Sequence, residues 1–127
     1  MKIILTTTSK LQSADKVKLQ NYDIYFIGSN VVKRENKPVL AKKLLVALSC
    51  QWLTSHIAKG NTATQEEIKT HYKNNLDLVN SVVLFKILRS LGKDIILSVT
   101  DNQVVMLEVL HDWIKSKDKK VNVQKFF

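Results

Sequence analysis

Between Val79 and Leu107 the chain changes its period, and no other stretch narrows the choice of fold as far. Residues 79–91 read at helical spacing, with Leu84, Ile87, Leu88 and Leu91 on one side and Asn80 among them. Gly92 follows, the residue that helices favour just past their end. From Ile95 to Leu107 the pattern becomes two short β-rich runs around the polar Thr100-Asp101-Asn102-Gln103, which predicts a hairpin.

The rest of the chain supplies elements to brace that unit. Lys2 to Thr8 and Tyr22 to Phe26 are β-rich, Val31-Val32-Lys33 resumes an extended run after the turn Ile27-Gly28-Ser29-Asn30, and Arg34 to Pro38 closes it. A small antiparallel sheet is the economical reading of these runs. From Val39 to Lys59, Leu40, Leu44, Leu45, Ala47, Leu48, Trp52, Leu53 and Ile57 recur at helical spacing until Gly60-Asn61. Thr64-Gln65-Glu66-Glu67 fits a capping box, so a second helix starts there and buries Ile68, His71 and Tyr72. Lys73 to Asp77 links it to the third helix. Leu107, Leu110, Trp113 and Ile114 predict a short extra helix, followed by a charged Lys115–Lys120 run.

Helix, helix, helix, hairpin is the order of a winged helix-turn-helix. The expected class is therefore α+β: a small N-terminal antiparallel sheet, three helices, a C-terminal β-hairpin wing and the short extra helix. Residues 1–117 form that domain, and residues 118–127 are a charged tail ending in Phe126-Phe127. The length allows one domain with a real core.

On the third helix the outward side carries Val79, Val82, Val83, Lys86, Arg89, Ser90 and Lys93. Lysines and an arginine suit phosphates or guanine edges, and valines suit thymine methyls. The chain carries a formal charge of +9 with a pI near 9.7, which favours a polyanionic partner. The first reading is thus a regulator that inserts this helix into the major groove of double-stranded DNA, as a homodimer on repeated half-sites. The second is a non-enzymatic interaction module that docks a partner protein through the third helix or the Phe126-Phe127 end. Its motives are the valines and the lack of Lys or Arg from Ile95 to Leu107.

Three places resemble the DNA-binding domain of OmpR/PhoB-type winged-helix regulators. Tyr22–Phe26 with Val31–Val39 is similar to the paired strands before that family's first helix, Thr64–Ile68 to the start of its second, and Leu84–Lys93 to the end of its recognition helix. The resemblance implies that Val79, Val82, Val83, Lys86 and Arg89 face the groove, that Ile95–Leu107 is the wing, and that Asn74–Leu78 touch RNA polymerase. No receiver domain fits in the remaining residues.

Catalysis is not expected. His56, His71 and His111 lack metal-ligand spacing, no glycine-rich phosphate loop occurs, and no strained turn presents a serine nucleophile. No cofactor is implied. Cys50 is the lone cysteine, which suits a reducing compartment. The apolar start is too short for a secretory signal, and no segment approaches the ~20 apolar residues that span a bilayer, so a cytoplasmic protein without membrane contact is expected.

Overall fold

The computed structural model describes residues 1–26, 64–90 and 92–127. Lys2–Thr7 (β1), Tyr22–Phe26 (β2), Asp94–Val99 (β3) and Asn122–Phe126 (β4) form a four-stranded sheet in the order β2-β3-β1-β4. Every pairing is parallel: Ile3 stands opposite Ile95 on one side and Val123 on the other, and Ile24 stands opposite Ile96. Thr8–Ser13 (α1) follows β1, and Gln65–Asp77 (α2) and Ser81–Ser90 (α3) precede β3. A 3-10 turn, Asp101–Gln103, then leads into Val104–Lys117 (α4), and β4 follows it.

Alternation along the strands sends Ile3, Leu5, Ile95, Leu97, Val99 and Val123 to one sheet face, where they form a core with Tyr72 and Leu76 of α2, Leu84, Phe85 and Leu88 of α3, and Met106, Leu107, Leu110, Trp113 and Ile114 of α4. Each large side chain buried there contributes about 1.5–3 kcal/mol relative to exposure. The opposite face carries Ile4, Thr6, Ile96, Gln124 and Phe126, with Leu11 of α1 against it. Ile95 to Val99 are all buried, as a parallel strand covered on both faces requires.

This architecture overturns the winged helix-turn-helix. β1 and β2 are not antiparallel partners, because β3 lies between them and pairs in parallel with each. No β-hairpin wing occupies Ile95–Leu107. The first run is β3, inserted in mid-sheet, and Val104 to Leu107 are the first turn of α4. The physical reason is visible in the burial: Met106, Leu107, Leu110, Trp113 and Ile114 recur at helical spacing, and only a helix starting at Val104 brings all five into the core. Nor is the extra helix short, since α4 has 14 residues. Residues 118–127 are not set apart as a tail, for β4 pairs with β1 and Phe127 packs against the core.

Lys73 to Asp77 is not a link either, because α2 runs through Asp77 and buries Leu76, which the helix brings onto the side of Tyr72. The two signals at the helix ends hold. Thr64 caps α2: its hydroxyl accepts from the Glu67 backbone N–H at 3.2 Å and donates to the Glu67 carboxylate at 3.1 Å. Gly92 adopts φ +68, the left-handed conformation that ends α3. The strand expected at Val31–Lys33 and the helix expected at Val39–Lys59, with Cys50 and His56, lie outside the described residues.

Candidate functional site

The α3 surface starts at Asn80, whose side-chain oxygen accepts from the Val83 N–H at 3.2 Å and so satisfies a donor that the helix start leaves free. Leu84, Phe85 and Leu88 point into the core, which leaves Val82, Val83, Lys86, Arg89 and Ser90 outward, as their spacing predicts. Val79 is the exception, half-buried against the core.

The outward cations differ in what surrounds them. The Arg89 guanidinium donates to the Asp118 carboxylate and lies 6.0 Å from the centre of the Phe85 ring. Asp118 also accepts from the Lys120 backbone N–H at 3.0 Å; that bond first, and Arg89 second, hold its carboxyl below the ordinary range. Lys93, beyond the helix end, sits 3.9 Å from Asp23. The Ser90 hydroxyl turns back to the Ile87 carbonyl at 2.6 Å. Lys86 is exposed and has no ion pair among the described residues.

Two features of this surface escape sequence reasoning. Leu78, at the junction of α2 and α3, is 86% exposed, and Val82 at 78% and Val83 at 38% are exposed on the α3 side that carries Lys86. The ion pair from Arg89 also anchors the Asp118–Lys120 turn to the end of α3, joining two cationic segments far apart in the chain. A long-range ion pair leaves no local signal in the sequence.

A second place of interest is the carboxyl end of the sheet. The chain leaves β1 toward one face and β3 toward the other, the geometry at which open parallel sheets form ligand crevices. Ser9 bridges the gap, donating to Asp101 from its backbone N–H at 3.2 Å and from its hydroxyl. The Thr8 hydroxyl donates to the Val99 carbonyl at 3.1 Å. The Ser9 hydroxyl, then its N–H, lower the Asp101 carboxyl below the ordinary range. The Ser9 hydroxyl is therefore bonded to a carboxylate acceptor and not to an imidazole base. Thr100-Asp101-Asn102-Gln103, read in the sequence as a hairpin turn, supplies that carboxylate.

The two described histidines serve locally. Asn75 donates its amide to His71 Nε2 at 3.1 Å, and burial lowers the His71 pKa. His111 lies 3.1 Å from its neighbour Asp112. Among the described residues no cluster of three or more His, Cys, Asp or Glu is placed to hold a metal ion, and no helix is long and apolar enough to cross a membrane.

Comparison with protein-family models, with curated proteins and with solved structures finds no match to this chain.

Proposed function

We propose that the chain is a non-enzymatic protein-interaction domain that docks a partner segment on the outward side of α3. The observation that carries this reading is the exposed run Leu78, Val82, Val83 leading to Lys86. Adjoining exposed apolar side chains have a free-energy reason to be covered, and isolated ones do not. Val82 is followed one helical turn later by Lys86, so a complementary segment is an amphipathic helix with apolar residues and a carboxylate one turn on. Selection from a displayed library of random peptides against the immobilised chain tests it. Acidic amphipathic sequences are expected, and their affinity falls at least tenfold in Val82→Glu while the melting temperature stays that of the wild type. Selected peptides that bind Val82→Glu as well as the parent reject the reading.

Duplex DNA is the second reading, favoured by one specific observation: the Arg89–Asp118 pair puts the Asp118–Lys120 turn, with Lys119 and Lys120, beside the end of α3. With no ribbon after α3 to enter the minor groove, this reading rests on neutralised phosphates. Mobility shift of random duplex against salt gives a steep slope, and Lys86→Ala and Lys119→Ala each make it shallower by about one unit per phosphate that the lysine neutralises. Equal slopes in wild type and variants reject it.

A further inference from the structure

Among the described strands, β4 has a hydrogen-bonded neighbour on one side only, β1. A strand in that place presents the N–H and C=O groups of every second residue along its outer side, the groups that pair an added strand. Val123 and Lys125 stand in register with Ile3 and Leu5, on the side of the helical layer, whereas Gln124 and Phe126 stand in register with Ile4 and Thr6, on the opposite side. The two sides of this edge therefore differ, with the exposed cation Lys125 on one and the Phe126 ring, 43% exposed, on the other. Charge around the edge has one dominant sign. Lys119 and Lys120, just before β4, are exposed and, like Lys125, have no ion pair among the described residues. Asp118, the single acid from Lys115 to Phe127, accepts from Arg89 and from the Lys120 backbone N–H. Asp15 lies on the Phe126 side of the sheet, where it disfavours a further acid.

We propose that β4 takes up an extended segment of a partner protein as an added strand, in which acidic side chains alternate with apolar ones, the acids on the Lys125 side and the apolar groups beside Phe126. Backbone pairing supplies the affinity, and the alternation selects the segment. A second copy of the chain is the wrong occupant, because two β4 edges brought together place Lys119, Lys120 and Lys125 of one copy against the same lysines of the other. Lysine on this edge thus repels its own kind and attracts an acidic strand. The surface is distinct from the outward side of α3, and its ligand is a strand and not a helix.

A capped seven-residue peptide of alternating glutamate and valine, titrated calorimetrically into the full chain, tests the proposal. One-to-one saturable binding is expected, about tenfold tighter than that of the same residues in block order, and a peptide of alternating lysine and valine does not bind. Methylation of every second amide nitrogen gives two further peptides of unchanged charge. The one whose blocked nitrogens face β4 loses binding, and the other keeps it. Lys120→Glu with Lys125→Glu, both at exposed positions, weakens the alternating peptide about tenfold while the melting temperature stays that of the wild type. Absence of saturable binding overturns the proposal, and so does binding indifferent to residue order and to the position of the methyl groups, which is charge attraction alone. Val82→Glu binds the alternating peptide like the parent, so this proposal and the α3 reading fail separately. A loss in Val82→Glu places the peptide on α3 and overturns the β4 assignment.

Discussion

Asp101 and Asp118 each join segments that lie far apart in the sequence, Ser9 to the end of β3 and α3 to the turn after α4. Both carboxyls are held below their ordinary value by bonds that only the folded chain provides. A depressed folded pKa means stability that is complete above the unfolded value, about 3.9, and lost as pH falls through the lower folded value. The melting-temperature gap between wild type and Asp101→Asn is therefore expected to hold constant above about pH 5 and to close below about pH 4. A gap that widens on acidification contradicts the assignment. Gly92 gives a second test at this scale. A Cβ there meets nothing within 4 Å, so the loss in Gly92→Ala comes from φ +68 alone, about 1–2 kcal/mol by urea unfolding. A loss under about 0.3 kcal/mol shows that another conformation ends the helix equally well.

α2 and α3 were legible in the sequence because their signals are local. A Thr N-cap with Glu three residues on, an apolar stripe and a closing glycine act within a few residues of themselves. Thr64→Ala is accordingly expected to cost about 1 kcal/mol, read from the urea midpoint. β3 and α4 were not legible, since Ile95 to Leu107 contains two β-rich runs around a polar tetrapeptide and local propensity favours a hairpin. Burial decides otherwise. Leu110, wholly buried in α4, is expected to cost about 2–5 kcal/mol on truncation to alanine, whereas Val82→Ala on exposed α3 stays within about 0.5 kcal/mol. Comparable losses at the two positions contradict the inward and outward sides of these helices.

For the whole molecule the sheet is the unit that must close. β4 occupies one end of the strand order, and Val123 within it and Val121 just before it are buried in the core, so residues 121–127 complete the core that Ile3 and Leu5 begin. Deletion of residues 121–127 is expected to remove the cooperative thermal transition. Val123→Asp, which places an unpaired carboxylate at a position 6% exposed, lowers stability by several kcal/mol. A truncated chain that melts like the parent shows that β4 is dispensable. The outward residues of α3 were legible from periodicity, but the meaning of that surface was not. Leu78 lies just past the Lys73–Asp77 stretch read in the sequence as a link, and the proximity of the Asp118–Lys120 turn to Arg89 exists only once α4 has packed.

Taken alone, the amino-acid order determined the start of α2 at its Thr64 cap, the outward side of α3 and the cationic surface, because caps, periodicity and charge act over a few residues. It placed the start of α3 at Val79 instead of Ser81, left out the inward Phe85, and read Lys73–Asp77 as a link. Tertiary structure alone decided the strand neighbours, the helical fate of Val104–Leu107 and the two faces of the sheet. A parallel strand finds its partner only through a crossover, and Ile3 chooses Ile95 and Val123 by the apolar face that the three form with the helices, not by any feature of its own neighbourhood.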